Sequence, residues 1–172
     1  MKPHFIDSFI NSAIKIIKKT TGVDSQKKNV YMKDGKVSLG GVGVILTVSG
    51  DIGGVVAYEF SREITMALAS KMIKRSAVSV LDKNEFLKLL KSAIKELGNL
   101  ISGKAITTLM DDGFDCKISP PKIYLGQGVQ LIPDGLVAFV IEMETKYGEF
   151  VINLAIQKEK HFSNQEKKAM AL

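Results

Sequence analysis

Apolar residues recur at three- and four-residue intervals in three stretches of the chain and alternate with polar ones through much of the rest. From about His4 to Thr20, Ile6, Phe9, Ile10, Ala13 and Ile17 share one face, which predicts an amphipathic helix; Gly22 stands after its basic end as a stop. Val30 to Met32 reads as a short strand, Asp34-Gly35 as a turn, and Val37 to Ser49 as a strand carrying several glycines. Gly50-Asp51-Ile52-Gly53 then turns the chain into a strand from Val55 to Phe60. A second helix is expected from about Ser61 to Lys74, with Ser61 as N-cap and Glu63 in its first turn.

The dominant element is the stretch from about Asp82 to Asp112. Asp82 and Glu85 have the spacing of a capping box, and Gly113 stands where a left-handed stop belongs. This is one long helix or two stacked ones, about 45 Å if continuous. Strands are predicted at Phe114 to Ile118, Lys122 to Leu125, Leu136 to Thr145 and Glu149 to Ile156, with Tyr147-Gly148 as the last hairpin turn. Helices and strands come in blocks, so an α+β fold is expected: an antiparallel β-sheet region packed with two or three helices. Residues 1–158 read as a single domain and 159–172 as a polar tail, and no internal repeat is evident.

Composition bounds the class. A chain of 172 residues, 45% hydrophobic and 24% charged, can bury a core as one globular domain. No stretch approaches the roughly 20 apolar residues of a membrane span. The basic start interrupted by Asp7 and Asn11 reads as an amphipathic helix rather than a targeting peptide, so a cytoplasmic protein is expected. Cys116 is the one cysteine, which excludes an internal disulfide and suits a buried, inert thiol. The net charge of +6 suits an acidic partner, yet the lysines are scattered, Trp is absent and no reading motif appears, which argues against nucleic acid.

The long helix carries the candidate chemistry. On its helical count Ser92, Glu96, Asn99 and Gly103 fall within an arc of about 60°, with Glu85 extending the stripe and Lys88 and Lys95 flanking it. Phe86, Leu90, Ala93, Ile94, Leu97, Leu100 and Ile101 lie opposite and are expected in the core. After Gly103 the phase slips, since Lys104 would continue on the buried side; a kink or turn near Ser102-Gly103 would resolve the conflict. Most polar helix faces only stay wet. Here, however, an Asn sits mid-helix, where it competes for backbone hydrogen bonds, beside Gly98 and Gly103, each costing about 1 kcal/mol relative to Ala. Such glycines suggest that something approaches the backbone closely.

The segment S-A-I-K-E-L-G-N-L-I-S-G-K-A, from Ser92 to Ala105, resembles the signature of the CheC/CheX/FliY family of chemotaxis phosphatases. There a Ser or Asp is followed four residues later by Glu, three later by Asn and some twenty later by Pro, a slot that Pro120 and Pro121 fill. The stretch from Gly43 to Ser61 and the hairpin around Gly148-Glu149-Phe150 extend the likeness from about His4 to Ile156. Asp7 to Ile14 lacks a second Glu-x-x-Asn pair, which resembles the single-site CheX type.

The resemblance implies a substrate: the aspartyl phosphate of a CheY-like response regulator, with Mg²⁺ and a lysine on that partner and no cofactor or metal on this chain. An amide offers donor and acceptor at any working pH, so Asn99 is assigned to the attacking water. Glu96 would pair with the partner lysine. Ser92, Lys95 and Gly103 would extend the contact surface, and Pro120 and Pro121 would shape its wall. The alternative is a non-catalytic docking module of the same fold, and the resemblance also implies a homodimer. Gly98 to Lys104 matches the spacing of a phosphate-binding P-loop, but Ala105 replaces the required Ser or Thr and the segment lies within a helix. His4 and His161 are too isolated to suggest a ligand set, and Asp111-Asp112 is expected to be solvated.

Overall fold

The structure is a computed structural model that describes residues 4–33, 38–73, 82–126, 129–130 and 136–157. Three helices are assigned there: α1 (His4–Thr21), α2 (Arg62–Met72) and α3 (Lys83–Asp111). The strands are β1 (Ser25–Lys33), β2 (Ser38–Leu39), β3 (Val42–Gly50), β4 (Gly54–Phe60), β5 (Cys116–Ile118), β6 (Lys122–Leu125), β7 (Val129–Gln130), β8 (Leu136–Thr145) and β9 (Gly148–Gln157). Seven of them form one antiparallel sheet in the order β1-β8-β9-β4-β3, with β5 and β6 both paired to the outer side of β3; β2 and β7 pair separately. The architecture is the expected α+β one.

Alternation decides which sheet face the helices cover. Val44, Leu46 and Val48 of β3, Val56, Tyr58 and Phe60 of β4, and Phe150, Ile152 and Leu154 of β9 point one way and are buried. Onto them pack Ile6, Phe9, Ile10, Ala13 and Ile17 of α1 and Leu90, Ile94, Leu97 and Ile101 of α3, joined into one core. Tyr58 at the centre of this layer hydrogen-bonds Ser102 of α3 at 2.7 Å, and burial holds its phenol neutral by raising its pKa.

The strand order reads the same from either edge. The sequence α1, β1, β3, β4 and the sequence α3, β5/β6, β8, β9 occupy equivalent places about an axis between β4 and β9, with β2 matching β7. No repeat is evident in the residues themselves, so the duplication is one of topology.

Several boundaries differ from expectation. Strand β1 begins at Ser25, because the polar run Ser-Gln-Lys-Lys-Asn pairs with β8 along the sheet edge, where polar side chains are tolerated. The single strand expected from Val37 to Ser49 is split between two sheets at Gly40-Gly41; Gly41 has φ 74°, and a Cβ there would meet the Phe60 carbonyl oxygen at 2.6 Å. The last hairpin turns at Lys146-Tyr147, one residue earlier than read, since Gly148 already pairs with Thr145. The second helix ends at Met72, because Ile73 is already extended at its C-cap, two residues short of the expected Lys74. The Asp34-Gly35 turn and the tail 159–172 lie outside the described residues.

Candidate functional site

Helix α3 is held at both ends by its own sequence. Asp82 accepts from the Asn84 and Glu85 backbone N–H groups while Glu85 accepts from the Asp82 N–H at 3.1 Å, the reciprocal box the spacing predicted. At the other end Gly113, at φ 93°, donates to Met110 and Phe114 donates to Leu109, which closes a Schellman motif. Between these caps 29 residues form one α-helix. No turn breaks it at Ser102-Gly103, and Lys104 is exposed, contrary to expectation. The conflict disappears because Ser102, not Lys104, continues the buried side: its hydroxyl is satisfied by Tyr58. A polar residue sits in the core there because a partner waits for it.

The glycines divide into two cases. A Cβ on Gly98 would lie 2.7 Å from Val44 Cγ1 and 3.2 Å from Tyr58 Cδ2, so glycine lets the helix backbone settle onto β3 and β4. The close approach expected at Gly98 is made by the protein's own sheet. Around Gly103 there is nothing within 4 Å, and its backbone is open to the outside.

Seating Gly98 downward aims the opposite side of the helix outward. Ser92, Lys95 and Glu96 are exposed, and Asn99 and Gly103 are half-buried, all along one outer stripe. Among the described residues no hydrogen bond or ion pair engages the side chains of Ser92, Glu96 or Asn99. Positions three and four away from Glu96 are Ser92, Ala93, Asn99 and Leu100, none of them basic, so its own helix offers no countercharge. Glu96 and Asn99 are separated by about 4.5 Å along the axis and 60° around it. They therefore present a carboxylate and an amide side by side, available to groups from outside.

Pro120 and Pro121 link β5 to β6 at the edge of the sheet. Prolines lack the N–H for a ladder bond, and the break is bridged by Ser119, whose N–H donates to the Thr47 carbonyl while its Oγ accepts from the Thr47 N–H. Just beyond them Ile123 pairs with Val44, the residue on which Gly98 rests. The proline link thus lies within a few residues of the register that carries the helix stripe, and α3 packs against β3, β5 and β6 alike. These supports for the site — Val44, Tyr58 and Ser102 — were not singled out from the sequence; only the mid-helix Gly98 signalled them.

Other candidates resolve simply. The P-loop-like run Gly98 to Lys104 lies inside α3, where the backbone N–H groups serve the helix. Cys116 is buried and its thiol is pushed up mainly by desolvation. Asp111 and Asp112 are exposed at the end of α3. Among the described residues no group of three or more His, Cys, Asp or Glu could hold a metal ion, and no helix is long and apolar enough to cross a membrane.

A family model described as chemotaxis phosphatase CheX matches residues 42–144, well over half of the chain and all of the stripe and proline link. The CheY-P phosphatase CheX of Thermotoga maritima is 30% identical over 93 residues, which cover 54% of this chain and 57% of the relative's length. The crystal structure of a chemotaxis protein CheX from Desulfovibrio desulfuricans superposes with a TM-score of 0.77 at 19% identity, covering 90% of this chain and 100% of that one. A CheX-CheY-BeF3-Mg²⁺ complex from Borrelia burgdorferi matches with a TM-score of 0.68 at 24% identity over 90% and 98% of the two chains. At these identities the structural matches establish the shared fold.

Proposed function

The chain belongs to the chemotaxis phosphatase CheX family, and from that premise we propose that it hydrolyses the aspartyl phosphate of a CheY-like response regulator by inserting the outer stripe of α3 into the partner's site. The observation that carries this reading is the pair Glu96 and Asn99, adjacent, outward and without an internal partner.

Asn99 accepts a hydrogen bond from a water or donates one to it and holds it in line with phosphorus. The water oxygen forms a new P–O bond as the bond from phosphorus to the aspartyl oxygen breaks, releasing a carboxylate and inorganic phosphate. An acyl phosphate is already activated, so placing the water supplies most of what the step needs. Glu96 pairs with the regulator's lysine and anchors the helix, while Ser92, Lys95 and Gly103 complete the contact and Pro120 and Pro121 form its wall. Mg²⁺ would reside on the partner and stabilise charge on the phosphoryl oxygens there; the Borrelia complex, which brings CheX, CheY, BeF3 and Mg²⁺ together, supports this division. The cytoplasm, where such regulators work, is the matching location, and family resemblance supports a homodimer, which sedimentation would test.

The direct experiment mixes the protein with phosphorylated regulator and Mg²⁺ and follows phosphate release. Acceleration over the regulator alone is expected. Binding without acceleration would leave a docking module of the same fold in place of the enzyme.

A further inference from the structure

Beside the stripe, α3 carries a second pattern. Lys88, Lys91 and Lys95 follow at spacings of three and four and are all exposed, so they form a ridge within about 60° of helix surface. Like charges at these spacings oppose helix stability. Some lysines elsewhere are engaged, Lys18 with Asp24, Lys28 with Glu149, and Lys71 and Lys146 over the Tyr147 ring at 5.5 and 5.1 Å, while others such as Lys27, Lys33 and Lys117 stand apart from one another; the ridge differs in gathering three such charges on one helix face. No ion pair engages the three ridge lysines among the described residues. The one acid within a turn of them towards the N-terminus, Glu85, is occupied by the capping box. Glu96 lies on the neighbouring outward stripe rather than at pairing distance in sequence.

The ridge and the stripe share one helix, so whatever meets Glu96 and Asn99 also meets these charges. We propose that Lys88, Lys91 and Lys95 are a recognition ridge that selects an acidic protein surface flanking the phosphorylated carboxyl and sets the rate of encounter. This deepens the reading above and rests on it for the identity of the partner. The division of labour is physical: unpaired charges act over a Debye length of about 10 Å at moderate salt, before the short-range contacts of Glu96 and Asn99 form. Steering of this kind acts on association and falls with ionic strength.

The test measures association of the full chain with a Mg²⁺-loaded regulator carrying an inert phosphoryl mimic, by stopped flow across ionic strength. The triple variant Lys88→Gln, Lys91→Gln, Lys95→Gln is expected to associate about tenfold more slowly at low salt and to converge on the wild-type rate as salt rises. A control triple with the same change in net charge, Lys27→Gln, Lys33→Gln, Lys117→Gln, should lose far less. Unchanged association of the ridge variant, or an equal loss in the control, overturns the ridge. If the wild type binds with ridge-dependent kinetics yet fails to release phosphate, the catalytic reading falls and the ridge stands. Normal turnover with ridge-independent association is the reverse case. Circular dichroism of each variant checks that α3 remains formed.

Discussion

Helices α1 and α3 occupy equivalent places on a sheet whose order is the same from both edges, yet they present different surfaces. Both bury an apolar face and carry an acid followed by an amide on the outer side, Asp7 and Asn11 on α1 and Glu96 and the half-buried Asn99 on α3. On α1 the pair is four residues apart, about 6 Å along the axis, whereas on α3 it is three apart, about 4.5 Å. The α1 acid is also one methylene shorter. Packing differs as well. Both helices bury large apolar side chains, Phe5, Ile6, Phe9 and Ile10 on α1 and Leu90, Ile94, Leu97 and Ile101 on α3, but α3 also closes onto Val44 and Tyr58 through Gly98, and α1 has no glycine. The comparison teaches that a polar outer face comes easily with this fold position, and that a site needs the right spacing, reach and seating of the helix.

The comparison breaks most completely at Asn99. Asn99→Ala is expected to lower single-turnover dephosphorylation about 10²–10³-fold, by analogy with removing one preorganised polar group, while binding to the regulator persists. A near-normal rate would remove Asn99 from the mechanism and leave α3 no more catalytic than α1. Next, Glu96→Ala should weaken regulator binding by about 2 kcal/mol, the lower range for truncating one partner of an intermolecular charge pair. Titration calorimetry measures it, and an unchanged affinity would exclude the anchoring role.

Seating is tested by the glycines. Gly98→Ala drives a methyl into Val44 and should destabilise the fold by about 1–3 kcal/mol in urea unfolding, the usual cost of overpacking. Adding Val44→Ala to it relieves the contact and should recover part of the loss. Gly103→Ala, facing open space, should instead gain up to about 1 kcal/mol from helix propensity; a loss there would mean that the two glycines are not different in kind. The smallest effect sharpens the comparison from the other side. Asp7→Ala with Asn11→Ala should leave phosphate release within twofold of wild type, as about 0.4 kcal/mol would allow; a larger fall would make α1 a second working face.

The sequence by itself determined what depends on neighbours within about two turns of helix or one hairpin. The caps of α3 at Asp82, Glu85 and Gly113 were legible because capping is a contact between residues three or four apart. So was the grouping of Ser92, Glu96, Asn99 and Gly103, since helical rotation alone puts them on one face. Strands β6 and β8 were read to the residue from alternation between turn residues. Only the tertiary structure decided the rest, which depends on partners distant in the chain. The first half of β1 is a strand because β8 lies beside it, and the glycine pair at 40 and 41 parts two strands because β4 blocks its side. Ser102 faces inward because Tyr58, 44 residues away in sequence, meets it. Local rules placed Glu96 and Asn99 on one face of a helix; the contact of Gly98 with Val44 and Tyr58 turned that face outward, because a missing side chain fixes an orientation only when something fills the space it leaves.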